Sequence, residues 1–271
     1  MAPKLPGLHV EGPDDQSAIG HLLNRHCVTS EKLPTLDIRR NEGDKGVLDM
    51  IPIAMKAAAN SSVGFVLDID FSLESRWDQI RGRLGEFRNL LPPRPVPGGT
   101  ILDIPLYNAR VGFWLMPDNA TEHGTLENLL HSLVPEGDSL FVYAEQASKA
   151  AKIEHGALYS DTHKLKAVLH CWLAWQKECG LPYGSAIKAK YFNHDSPEAL
   201  AFVAWSFVLT HLPVTRATAL LYLVPALALA IAWVALGEQP SALAVTGGVV
   251  AIVGVAIGRM RKAVPAEATP A

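Results

Sequence analysis

The stretch "GFVLDIDF", residues 64–71, decides how the first two hundred residues are read. Gly64 to Leu67 form an apolar run without a polar break, which marks a strand hidden on both faces. Asp68 and Asp70 follow, with Ile69 between them. Side chains alternate along an extended chain, so the two carboxylates point to one side and Ile69 to the other. Two like charges that close repel unless something neutralises them. A divalent cation does so, and Mg²⁺ typically takes one or two carboxylates plus water and phosphate oxygens. The plainer alternative is that the pair only caps the next helix.

Outward from this strand, strand and helix signals alternate. "LHV" (8–10) predicts a short strand and "DDQSAIGHLLNRH" (14–26) a helix, with Asp14 and Asp15 as capping and solvated charges. "LPTLDI" (33–38) predicts a second strand, and "KGVLDMIPIAMKAAA" (45–59) a helix broken near Pro52. The strand over 62–70 is followed by a helix over 75–87, and 90–99 is a loop by composition. A strand over 109–117, a helix over 124–134 and two more helices, over 138–152 and 163–180, complete the pattern. This alternation implies an α/β fold, a mainly parallel sheet flanked by helices.

In such sheets ligands bind outside the carboxyl ends of the strands. Glu11 ends the first strand in "HVEGPDD" (9–15), and would face the Asp pair if the first and third strands are neighbours. Asp118 ends a later strand, and Glu127 lies just beyond it in "GTLENLL" (124–130). Acids from three segments thus gather at one edge, although Asp118 and Asn119 also read as a plain turn.

The chain has 271 residues, 49% hydrophobic and 19% charged, which argues against disorder for most of it. The net charge of −3 gives no global pull towards nucleic acid, so a polyanion contact needs a local basic patch. Candidates are Lys45, Arg76, Lys164 and Lys166, with Arg81 and Arg83 beside Arg76; each also reads as part of a solvated helix face. His123 and His163 are candidate metal ligands, or surface residues. Cys27, Cys171 and Cys179 have no zinc-ligand spacing and read as reduced thiols. The start "MAPKLPGLHVEG" lacks the pattern of a signal peptide.

An apolar strand ending in Glu-Gly, then a strand ending in Asp-x-Asp ("VLDID", 66–70), resembles the Toprim domain of topoisomerases, bacterial primases and OLD-type nucleases. The stretches 112–130 and 163–205 are similar to a small stand-alone Toprim-like family related to the OLD nucleases. The resemblance covers about residues 5–205. It implies Mg²⁺- or Mn²⁺-dependent phosphodiester chemistry on nucleic acid, as a nuclease of phage defence. Asp68 and Asp70 would hold the metal, Glu11 would be the catalytic acid/base or a further ligand, and Glu127 would match an additional metal-binding acid. The sequence carries neither the tyrosine-bearing cutting domain of topoisomerases nor the G-x-x-x-x-G-K-[ST] of an ATPase, so either an ATPase partner acts in trans or the domain acts alone.

Composition changes after about residue 205. No charged residue occurs over 217–237 or over 239–258, each run long enough to cross a bilayer as a helix. A buried hairpin of a soluble core is the alternative. Residues 206–262 resemble the last two helices of transporters of the drug/metabolite superfamily, with "LVPALA", "LGE" and a Gly-rich final segment. The expected organisation is a Toprim-like domain (1–205), a transmembrane hairpin (206–262) crossing the membrane within 214–258, and a disordered tail (263–271). Arg216, Arg259, Arg261 and Lys262 favour cytoplasmic ends, which puts the first domain in the cytoplasm at the inner, or cytoplasmic, membrane. Gly254 and Gly258 form G-x-x-x-G, a close-packing motif or part of a compact Gly/Ala-rich hairpin. Three functions stay open: a tethered nuclease, a non-catalytic binding module for a defence or toxin-neutralising partner, and a transporter fragment.

Overall fold

The computed structural model describes residues 6–27 and 36–211. The expected hairpin beyond residue 211, the G-x-x-x-G motif, the basic flanks and the terminal tail lie outside these residues, as do residues 33–35 of the expected second strand.

The described elements run β1 (Gly7–Val10), α1 (Pro13–Cys27), β2 (Asp37–Arg40), α2 (Gly43–Ala57), β3 (Ser62–Asp68), α3 (Leu73–Arg83), β4 (Thr100–Ile104), β5 (Ala109–Met116), α4 (Leu126–Ser132), α5 (Ser139–Glu154), α6 (Lys164–Ala174), α7 (Tyr183–Lys188) and α8 (Pro197–His211). The strands form one sheet in the order β2-β1-β3-β5-β4. The first four are mutually parallel; β4 alone is antiparallel to its neighbour. The expected mostly parallel α/β sheet flanked by helices is what forms.

β3 and β5 sit at the centre and are buried on both faces, which is why they read as unbroken apolar runs. Period-two alternation divides them between two cores. Val66, Trp114 and Met116 join Leu8 and Val10 beneath α1 and α4 to α8. Val63, Phe65, Leu67, Val111, Phe113 and Leu115 pack with α2 and α3 on the other side. Gly64 and Gly112 lie side by side in register on the first of these faces, and a Cβ on either would come within 2.9 Å of Leu209 or Trp205 of α8. The glycine that opens "GFVLDIDF" is thus required by close approach of a helix.

Three departures from the sequence reading have physical reasons. α2 runs unbroken through Pro52, which lies on its exposed side, while Val47, Leu48, Ile51, Ala54 and Met55 on the opposite side pack into the core and hold the helix together. β4 follows the expected loop and was not anticipated, although "TILDI" alternates buried and half-buried positions as an edge strand should. Residues 206–211, read as the end of a transporter-like helix, continue α8, with Leu209 buried and Val208 O accepting from Arg110 Nη1 at 3.1 Å. The described residues all belong to one compact unit, which ends at His211. Among the described residues no helix is long and apolar enough to cross a membrane. Cys171 is half-buried and Cys179 exposed, both free thiols.

Candidate functional site

β1, β3 and β5 are parallel, so Glu11, Asp68 and the turn after Met116 leave the sheet at the same edge. Of the Asp pair, Asp68 meets Glu11 through its backbone: the Asp68 amide donates to Glu11 Oε1 at 2.8 Å, whereas Asp70 turns to Arg76. The Asp68 carboxylate reaches across to the third segment, where Oδ1 accepts from the Leu126 amide at 2.9 Å. The loop carrying Leu126 is tied back to the turn after β3, since Asp70 N donates to Gly124 O at 3.0 Å and Leu73 N to Glu122 O at 2.9 Å. It is held at its start by buried Asn119, whose Oδ1 accepts from Leu115 N at 2.7 Å.

Glu127 is one residue into α4. Its Oε2 accepts from Thr125 Oγ1 at 2.8 Å, and its Oε1 lies 3.3 Å from Lys166 Nζ. Lys166 also approaches Asp14 at 3.9 Å. Asp15, treated from sequence as a capping charge, does cap its turn, accepting from Gly12 N at 3.1 Å, but it also belongs to the acid cluster. Its i, i+4 spacing from Glu11 was the available signal, overlooked because acids at a helix start are ordinarily caps.

The electrostatics follow from this crowding. Burial pushes Asp68 up to about 9, with Glu11, Asp15, Asp70 and Glu127 adding repulsion. Burial raises Glu11 to about 7 against the bond from the Asp68 amide, and Asp15 contributes further. Asp15 rises to about 6, again chiefly through burial, with repulsion from Glu127 and Asp14. Tyr183 is fully buried, its hydroxyl has no hydrogen-bond partner among the described residues, and burial with the charges of Glu127 and Asp14 holds its proton tightly.

Not every expected residue joins. Arg76 is buried against Asp70 and Asp44, at 2.6 and 2.8 Å. Arg81 pairs with Asp78 and Arg83 with Asp49. Lys45 and Lys164 are exposed at the first turns of α2 and α6. Asp118 folds on its own turn, accepting from the amides of Ala120 and Thr121. His123 and His163 are exposed.

Among the described residues no group of three His, Cys, Asp or Glu side chains stands arranged to hold a metal ion. The donor chemistry nevertheless fits a hard cation. Glu11, Asp15 and Asp68 each commit one oxygen to a backbone amide, and the second oxygens of Glu11 and Asp68 remain for a ligand. An all-oxygen set suits Mg²⁺ or Mn²⁺ rather than zinc.

Comparison with known proteins divides the chain similarly. Residues 6–207 match the family described as "Protein of unknown function (DUF3226)". Residues 197–258 match the "EamA-like transporter family", so both matches include most of α8. A 73-residue stretch is 45% identical to a "Probable terminal-alkyne amino-acid exporter" of Streptantibioticus cattleyicolor, covering 25% of this chain and 25% of that protein. The chain therefore spans about a quarter of the length of this curated relative. No solved structure matches the chain. A family-type domain joined to a transporter-like end is the organisation these findings support, and the EamA-like region points to membrane association.

Proposed function

This chain belongs to the DUF3226 family, and we propose that its α/β unit is a Toprim-like, divalent-cation-dependent phosphodiester enzyme acting on nucleic acid. One observation carries the reading: carboxylates from the ends of β1 and β3 and the start of α1 converge beside α4, linked through the Asp68 amide and the Leu126 amide. Glu11, Asp15 and Asp68 would hold Mg²⁺ or Mn²⁺, with Glu127 beside them. The cation, when bound, clamps a phosphate and stabilises charge developing on the attacking and leaving oxygens.

The chain's own groups have separate tasks. Glu11, whose proton is held up to about 7 in the cation-free chain, gives that proton up when the cation binds, so binding strengthens as pH rises through neutrality. The Leu126 amide orients Asp68, so its second oxygen faces the cluster. Lys166, 3.3 Å from Glu127, is the basic group best placed to meet phosphate, with Lys45 and Lys164 as outlying contacts.

We read the EamA-like segment as a tether rather than a transport path, because a transporter site lies between repeated bundles larger than two helices. Its basic flanks, Arg216, Arg259, Arg261 and Lys262, favour an inner-membrane position with the enzyme unit in the cytoplasm. A second reading, a non-catalytic binding module, is favoured by the pairing of Asp70 with Arg76 and of Glu127 with Lys166, which already offsets part of the negative charge.

The full chain in detergent micelles, incubated with single- and double-stranded DNA and RNA, tests this directly. Cleavage that needs Mg²⁺ or Mn²⁺, stops with EDTA and is lost in Asp68→Asn supports the enzyme. A folded, Mn²⁺-binding chain that cuts nothing and still retains nucleic acid or a protein would transfer the case to the binding module.

A further inference from the structure

Asp70 differs from the other acids of the cluster. Its Oδ2 accepts from Arg76 Nη2 at 2.6 Å. Arg76 Nη1 donates to Asp44 Oδ2 at 2.8 Å and to Gln79 Oε1 at 3.0 Å. The Arg76 side chain is 5% exposed, so this is an almost buried cation between two half-exposed carboxylates. Asp70 also adopts φ +59°, the left-handed region that non-glycine residues avoid except Asn, Asp and a few others. Its amide donates to Gly124 O, on the loop that delivers Leu126 and Glu127.

We propose that Asp70 is not a cation ligand but the anchor of a strut, Asp44–Arg76–Asp70, built on a buried arginine, which positions the turn that follows Asp68. Asp70 Oδ2 is committed to a guanidinium that stays protonated. That adjacent positive charge weakens the pull of the remaining Oδ1 on a divalent cation, which the amide bonds to Glu11 and Asp68 do not do. Turning both Asp70 oxygens towards a metal would leave Arg76 Nη2 desolvated without its carboxylate, which is costly. The strut joins three segments: the first turn of α2 through Asp44, α3 through Arg76 itself, and the turn after β3 through Asp70. With that turn fixed, the Asp68 amide keeps its bond to Glu11 and the Asp68 carboxylate its bond to Leu126. Arg76 is accordingly a positioning residue, and too enclosed to be the phosphate contact that its place in the sequence suggests. The strut rests on geometry alone; its consequence for the cation rests on the reading in the preceding subsection.

The test uses the full chain in detergent micelles, with Mn²⁺ binding followed by calorimetry and unfolding by heat. Asp70→Asn keeps a residue tolerant of positive φ while removing the charge. It is expected to lower Tm by roughly 3–6 °C, and by less than half as much in an Arg76→Met background. Arg76→Lys, which restores a charge without the fork, should recover only part of the loss. Mn²⁺ affinity should fall by less than about fivefold in Asp70→Asn but by more than about fiftyfold in Asp68→Asn. Loss of Mn²⁺ binding in Asp70→Asn equal to that in Asp68→Asn, in chains that remain folded, would overturn the proposal. So would equal Tm losses with and without Arg76. If the unmutated chain binds no Mn²⁺, the cation reading fails separately, and the Tm comparison alone decides the strut.

Discussion

The two ends of β3 are specified by different physics. At Gly64 the strand lies under α8, and the side chains of Leu209, Leu8 and Trp205 fill the space a Cβ would need. At Asp68 the same strand enters a cluster of acids held by single hydrogen bonds to Glu11 and Leu126. The first end is governed by volume, which pH does not change. The second is governed by charge, and its stability depends on protons and on any cation present. A strand of seven residues thus carries a packing constraint at one end and a chemical one at the other.

The largest break in this comparison should come from Trp205→Ala. Trp205 is buried and packs on Trp114 and Phe202, so truncation should cost about 3–5 kcal/mol in denaturant unfolding. The cost should be the same at pH 5.5 and pH 8; a strong pH dependence would refute a purely volumetric role. Gly64→Val comes next, at about 1–3 kcal/mol from overpacking. Leu209→Ala in the same chain should recover part of that loss, because the tip of Leu209 is among the atoms that the new side chain meets. Strict additivity of the two changes would count against the contact.

The acid end should behave in the opposite way. Glu11, Asp15 and Asp68 have folded-state values raised to about 7, 6 and 9, so the folded chain holds protons that the unfolded chain releases near pH 4. Their contribution is complete below that pH and is lost as pH rises through the folded values. Without divalent cation, Tm should therefore fall by a few degrees between pH 5.5 and pH 9, and Mn²⁺ at pH 8 should restore it. Asp68→Asn should flatten the profile and raise Tm at pH 8 even as it abolishes cation binding. Parallel profiles for the two chains would sink the charge account. The smallest effect belongs to Lys164→Ala, an exposed position where stability should change by less than about 0.5 kcal/mol. If Lys164 meets phosphate, the salt dependence of nucleic-acid binding should lose a slope of about one.

Much of the frame was legible from residues alone. β3 and β5 announce themselves as apolar runs because parallel strands buried on both faces need no polar alternation. Glu11 and Asp68 could be paired in advance, since neighbouring parallel strands place their ends together. β4 was hidden by its short, half-exposed alternation beside a Pro-rich loop. The membership of residues 206–211 in α8 was hidden because an apolar helix reads alike whether it covers a sheet or enters a bilayer.

Sequence by itself determined the α/β class, the acid edge and the change of character after α8, because these depend on local periodicity and composition. Only tertiary structure decided which acids meet and which are already spoken for. Asp15 joins the cluster, Asp70 turns to Arg76, and Glu127 turns to Lys166. Spacing along the chain says which side of a strand a carboxylate leaves from. Its partner is set by contacts between segments far apart in the sequence, and by the burial that makes each unpaired charge costly.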